Sequence, residues 1–314
     1  DEGGANAANT LPTVDLDERV LMDLALIAEG VFSPLNGFMR RDELWDVLNH
    51  YQLPTGVSWS LPVLLQQHGR AIQGLSTGKV VALRSIRDGI VYATMEVSDV
   101  GPIDLEAVIR EWFGTNDPKH PGVAQVMRQG DHVVGGDIQL VRKPRFLNDQ
   151  YRLSPVQTRR LFAERGWCTV VGFHTRNAVH RGHEFVQRQS LEAVHADALF
   201  ISPVVGIKKK GDFTGSAITS TYQVMLEHGY YKPFGALLGT FQAYSRYCGP
   251  REAVFTALCR KNYGCSHFIV GRDHTGFGDF YGPDACRRLF DRMGDLGITP
   301  IFTDVAYFCT ACGT

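Results

Sequence analysis

Several absences narrow the reading of this chain before any motif is considered. There is no uninterrupted apolar run of the roughly 20 residues that a membrane-spanning helix requires, and no charged segment leading into a hydrophobic core as in a secretory signal. The expectation is a cytoplasmic protein with no membrane partner. The 32 Lys and Arg residues balance 33 Asp and Glu, for a formal charge of -1. A chain without basic excess has no general affinity for a phosphate backbone, so nucleic acid is not an expected partner and any anion site must come from local clustering. The run Lys208-Lys209-Lys210 is one such cluster and reads as a solvated loop. Seven cysteines, an odd number scattered along the chain, read as reduced thiols and exclude a disulfide framework. The sequence also lacks a Gly-x-x-x-x-Gly-Lys-Ser/Thr phosphate loop, an internal repeat, a low-complexity segment and a Ser-His-Asp or Cys-His arrangement.

What is present fits a soluble chain of 314 residues and two domains, with 44% hydrophobic and 21% charged residues excluding the disordered and fibrous classes. Residues 1–10 are small and polar and are expected to form a flexible tail. Helical spacing of apolar residues from Leu16 to Ile27 and around Leu44 to Leu48 alternates with β-type runs at Val57 to Leu65 and Val80 to Val97. Residues 11–148 therefore read as mixed α and β material, strand-dense from Ser58 to Arg142, with the domain boundary near Lys143 to Tyr151. From Thr169 onward short apolar runs alternate with helical segments, the pattern of a doubly wound α/β domain over 149–314, its parallel sheet covered on both faces. Within it the helix starting near Pro250 has Glu252 near its positive end, Lys261 near its negative end and Gly264 beyond its last turn.

Two polar loops carry the chemistry. The first, Phe173-His-Thr-Arg-Asn-Ala-Val-His-Arg-Gly-His-Glu184, follows the apolar run Val170-Val171-Gly172 and leads into a helix, whose first backbone N–H groups lack intrahelical partners. Two histidines three apart and several cationic side chains surround those donors, an arrangement suited to a polyphosphate. The second, Gly271-Arg-Asp-His-Thr-Gly276, follows the strand-like run His267-Phe-Ile-Val270. Ligands of such sheets bind beyond the carboxyl ends of the strands, so both loops are expected to border one cleft.

The first loop, together with Arg246-Tyr-Cys-Gly-Pro-Arg-Glu-Ala253, Arg260-Lys-Asn-Tyr-Gly-Cys265 and the second loop, closely resembles the ATP sulfurylase (sulfate adenylyltransferase) family. The resemblance extends to Phe32-Ser-Pro-Leu-Asn-Gly-Phe-Met39, His120-Pro-Gly-Val-Ala124, Gly135-Gly136 and Leu161-Phe-Ala-Glu-Arg-Gly-Trp167, in order along nearly the whole chain. It implies a PUA-like domain over 11–148, a Rossmann-like nucleotidyltransferase domain over 149–314, and transfer of the adenylyl group of ATP to sulfate. By the same resemblance Arg176 contacts the oxyanion, Asn177 and His180 hold ATP phosphates, His183 stabilises the transferring phosphoryl group, and Gly271, Arg272 and His274 line the nucleotide. His174 and Thr275 fall in the acceptor pocket. The expected partners are ATP with its Mg2+, a small oxyanion and further copies of the chain in a homo-oligomer. The pair Cys309 and Cys312 could form half of a zinc site, which needs two more ligands; some family members carry such ligands beyond the position of Thr314, so the resemblance leaves open a catalytic domain truncated at its end.

Members of that family usually have Gln, Pro and Ala where this chain has His174, Ala178 and Thr275. Two of the three changes fall on the acceptor pocket. Either sulfate is held by a different set of donors, or the acceptor is another acid such as a phosphonate or sulfonate, with His174 then available as a base if that acid carries a proton. A nucleotide-binding or RNA-binding relative without catalysis is the third reading.

Overall fold

A computed structural model describes residues 8, 10–209, 211–271, 276–303, 310 and 311. Two compact units emerge from its contacts. One comprises the described residues up to Arg145 with 245–255 and 276–282, the other 146–244, 256–271 and 283–303.

In the first unit, strands β1 (Thr13–Leu16), β2 (Gly37–Phe38), β3 (Gln66–Gln67), β4 (Val80–Ser85), β5 (Val91–Glu96), β6 (Asp99–Pro102) and β7 (His132–Leu140) make one sheet in the order β1-β4-β5-β7-β2. Both β3 and β6 also pair with β7. The Gly135-Gly136 pair sits in β7 because there is no room for side chains: a Cβ on Gly136 would lie 2.0 Å from the Glu96 carbonyl oxygen of β5. Helices α1 (Glu18–Ala28), α2 (Arg41–His50), α3 (Leu105–Phe113) and α4 (Pro121–Gln129) complete the unit. Their starts are chemically marked, with Asp17 accepting from Val20 N, Asp104 from Ala107 N, and Pro121 in the first turn of α4. The expected strand over Val57 to Leu65 does not form. Trp59, Leu61, Val63 and Leu65 are buried, but the segment makes scattered hydrogen bonds, such as Trp59 N to Tyr51 O and Met39 N to Val63 O, in place of a ladder. Apolar content recorded its burial, which irregular backbone can also achieve when its polar groups find separate partners.

The second unit is built on five parallel strands, β8 (Val170–Thr175), β9 (Ala198–Pro203), β10 (Gly235–Leu238), β11 (His267–Val270) and β12 (Thr299–Phe302), in the order β10-β9-β8-β11-β12. Helices α5 (Pro155–Glu164), α6 (Arg181–Ala193), α7 (Gly215–Glu227), α8 (Pro250–Tyr263) and α9 (Ala285–Met293) accompany them. Helix α8 supplies residues to both units.

Alternation along β8 sorts its two faces. Val171 and Phe173 join Leu191 of α6 and Ile218 and Tyr222 of α7 in one apolar core. Gly172 and His174 point the other way, where the stem of Arg260 from α8 lies over Gly172. Helices thus cover both faces, and strand order reverses between β8 and β11. That reversal is the place where a doubly wound sheet opens a crevice at its carboxyl edge, and the loop after β8 and the start of the loop after β11 both leave from that edge.

Gly172 is a tight point of this face. A Cβ there would stand 2.9 Å from Arg260 Cγ and 3.1 Å from Arg260 Cβ, atoms near the helix backbone that have little freedom to withdraw. Gly172→Ala is expected to lower stability by about 1–3 kcal/mol, the ordinary range for overpacking. Urea denaturation followed by far-ultraviolet circular dichroism checks this, and an unchanged midpoint would mean that the two elements separate easily.

Candidate active site

The loop after β8 is organised by its own side chains. Thr175 Oγ1 accepts from Asn177 N at 3.1 Å, a local turn that the hydroxyl stabilises and that leaves Asn177 exposed. His180 then starts α6: its extended backbone and its Nδ1, which accepts from His183 N at 3.4 Å, make it the cap of the helix. A ring nitrogen replaces the usual hydroxyl or carboxylate. The His180 and His183 rings stack with centroids 3.8 Å apart, so the pair presents two imidazoles at the positive end of the helix.

His183 is the more enclosed of the two. Burial first, then the charge His180 could carry, lower its pKa to about 4 against the partial opposition of the Ala178 carbonyl. It is neutral near pH 7 and offers a hydrogen bond without a full charge. Its ring packs edge-on to Phe173 and its Nδ1 lies 3.5 Å from the hydroxyl of Tyr222, a residue with no solvent exposure. Burial raises the Tyr222 pKa, so the phenol keeps its proton.

Arg176 and Lys208 supply the positive charge. Arg176 Nη1 is buried with no hydrogen-bond partner among the described residues. Lys208 reaches back from the segment following β9 and donates to the Val204 carbonyl at 2.5 Å. Its pKa falls to about 8, through burial first and also through repulsion from Arg176, with Asp212 acting in the opposite sense. The reading of residues 208–210 as a solvated loop is thus corrected at Lys208, which is half-buried, whereas Lys209 is exposed. Composition shows a run of lysines but not that one of them folds inward beside an arginine of the loop that follows the neighbouring strand.

His174, at the same edge, accepts at Nδ1 from Arg260 Nη2 at 2.9 Å. Arg260 has no exposed surface, and burial lowers its pKa from the usual guanidinium value. Arg246 and Arg251 of the neighbouring motif do structural work in the first unit. Arg246 Nη2 donates to Asp23 at 2.5 Å, and Arg251 donates to the carbonyls of Val47, Leu48, Ser60 and Glu111.

The second unit therefore brings together His174, Arg176, Asn177, His180 and His183 around one strand end, with Gly271 directly after the neighbouring strand. Arg272, His274, Thr275, Cys309 and Cys312 lie outside the described residues, as does most of the expected tail at 1–10. Sequence reading missed Lys208, Tyr222 and Arg260 as parts of this edge. A glycine in the middle of β8 was the available signal for Arg260, since it marks the close approach of another element. Among the described residues no group of three or more His, Cys, Asp or Glu gathers to hold a metal, and no helix is long and apolar enough to cross a membrane. The first unit has a cavity of about 290 Å3 whose lining mixes Asp15 and Asp17 with Arg19 and Arg128. A phosphate backbone calls for a stripe of one sign.

These features define a class: a β-rich domain joined to a doubly wound domain with a cationic, imidazole-bearing carboxyl edge suited to phosphates. The ATP-sulfurylase family profile matches residues 149–314, and a PUA-like domain profile matches residues 1–143. Sulfate adenylyltransferase of Symbiobacterium thermophilum is 44% identical over 314 residues, covering 99% of this chain and 79% of that protein. The sulfate adenylyltransferase of Thermococcus onnurineus is 43% identical over 302 residues, with 96% and 78% covered. The chain belongs to the ATP-sulfurylase family. Its fold is also that of the solved hexameric APS kinase from Thiobacillus denitrificans, with a TM-score of 0.76 at 22% identity; the match covers 99% of this chain and 55% of that one.

The depressed His183 pKa makes stability depend on pH in a stated direction. The unfolded ring binds a proton near its ordinary 6.5 and the folded ring only near 4, so between these values the unfolded state holds more protons. The contribution is complete above pH 6.5 and is lost as pH falls toward 4. Chemical denaturation across this interval should give a shallower pH slope for His183→Asn than for the unmodified chain; equal slopes would place the ring in water.

Proposed function

We propose that the chain transfers the adenylyl group of ATP to sulfate, forming adenosine 5'-phosphosulfate and pyrophosphate. The observation that carries this reading is the pair of mutually repelling cations, Arg176 and Lys208, neither of which hydrogen-bonds a carboxylate among the described residues. Two such cations close together are costly without a counter-charge, and an anion offsets that cost. Sulfate is a dianion at neutral pH and needs no base to attack the α-phosphorus. Positioning of two mutually repelling anions, and donors aimed at the charge that builds on the phosphoryl oxygens and the leaving pyrophosphate, are what the reaction requires. In this proposal Arg176 holds the acceptor with His174 and Thr275, while Asn177, His180, Gly271, Arg272 and His274 hold the nucleotide. His183 donates, as a neutral ring, to the transferring phosphoryl group. Lys208 joins this set as a contact to one of the anions. Magnesium enters bound to the ATP phosphates, as part of the substrate.

Pyrophosphate release from ATP, measured over a panel of sulfate, phosphonates and sulfonates, tests the reading. Sulfate-dependent release is expected; release that depends only on another acid removes sulfate as the acceptor. Arg176→Ala should lower kcat/KM by about 100-fold or more, and Lys208→Met by about tenfold. Because an anion raises the Lys208 pKa from about 8, binding of ATP at pH 8 should take up protons. Calorimetry in buffers of different ionisation enthalpy should show a smaller uptake for Lys208→Met. Equal uptake would leave Lys208 outside the anion site.

A further inference from the structure

We propose that Arg260 is a positioning residue that fixes the proton of His174 on Nε2, so that this ring addresses the acceptor as a hydrogen-bond donor and is barred from acting as a base. The inference rests on the proposed function for the identity of the acceptor site, but the state of the ring follows from geometry alone.

Arg260 has no solvent exposure. Its stem is pressed on Gly172 and its guanidinium lies over the Phe241 ring at 4.3 Å. Nη2 donates to His174 Nδ1 at 2.9 Å and to the Ser202 carbonyl at 3.1 Å, while Nε and Nη1 have no hydrogen-bond partner among the described residues. The tautomer of a histidine is ordinarily assigned from its surroundings, and many partners could serve either role. Here the partner allows one answer. A guanidinium has N–H groups and no acceptor, and it retains its charge in proteins. The short contact can therefore run only from Arg260 to a lone pair on His174 Nδ1.

Two consequences follow for the ring. The neutral imidazole must carry its proton on Nε2, because its other nitrogen is spent as an acceptor. Adding a proton to Nδ1 would set N–H against N–H and place two cations in contact within a buried face. Among the described residues, the Arg260 charge from α8 meets Nδ1 and the Phe241 edge packs on the ring, and neither of these stabilises an imidazolium. His174 thus behaves as a primary carboxamide would, accepting from Arg260 with one atom and donating with another. A position built in this way matches an acceptor oxygen that arrives fully ionised. An acid that must lose a proton during attack finds no base in the His174 ring, which favours sulfate and sulfonates over a singly protonated phosphonate.

The test uses the full chain labelled with 15N at histidine. The His174 signals are identified by their absence from His174→Gln, and long-range 1H–15N correlation at neutral pH reports which nitrogen carries the proton. A pyridine-like Nδ1 with a pyrrole-like Nε2 is expected; the reverse assignment, or an imidazolium, overturns the proposal. Arg260→Met, where it folds, should release the ring to a mixture of tautomers, and the spectrum of the unmodified chain decides the matter in either case. Kinetically, His174→Met should lower kcat/KM for the acceptor by about 10- to 100-fold, the loss of a hydrogen bond to a charged group. His174→Gln should recover at least about tenfold of that loss. Failure of glutamine to rescue would show that the ring is needed as a base. If no acceptor supports pyrophosphate release, the proposed function fails, while the spectroscopic result still judges the ring.

Discussion

Positive charge buried without a carboxylate partner is the constraint around which the second unit is arranged. Arg260 donates from Nη2 alone, to a ring nitrogen and a carbonyl, and lays its guanidinium over an aromatic face, while Arg176 leaves a buried nitrogen unbonded among the described residues. Desolvating a cation is costly unless a partner offsets the loss of water. Folding tolerates the arrangement because aliphatic stems and polarisable groups share part of the burden, and the remaining field is directed at the carboxyl edge of the sheet. A preorganised field of this kind needs no rearrangement when charge develops on a bound phosphate.

The first unit handles its arginines differently. Arg246 meets Asp23, both nearly without exposure, and Arg251 is enclosed by four main-chain carbonyls. Those side chains fasten the segment before and at the start of α8 to the sheet and helices of that unit. The same residue type therefore closes structure in one unit and leaves electrostatic potential available in the other. Arginines of separate sequence motifs thus serve separate purposes, and only their partners distinguish them.

Much of this was legible in the residues. Alternation of short apolar runs with helical segments beyond Thr169 gives a parallel sheet, and Pro250, Glu252 and Gly264 mark a helix that runs Pro250–Tyr263. The polar loop after Val170–Thr175 carries its own signature, since Thr175, Asn177, His180 and His183 organise one another over a few residues. What was not legible depends on distant partners. Lys208 reads like its exposed neighbour Lys209 until the fold turns it toward Val204 and Arg176. Arg260 belongs to a helix, yet its meaning comes from residues of β8 and β9 that lie 86 and 58 positions away along the chain. The stretch from Val57 to Leu65 shows the reverse error, where apolar content suggested a strand and the buried backbone took an irregular path.

Gly172 shows how far such distant effects reach. Because it has no Cβ, the Arg260 stem can settle against the strand, and the guanidinium arrives level with the ring two residues further on. The side of an imidazole on which a hydrogen atom resides is thereby decided by a methyl group that the chain omits. Chemical selectivity at this edge is written partly in an empty volume, at a position that would never touch a substrate.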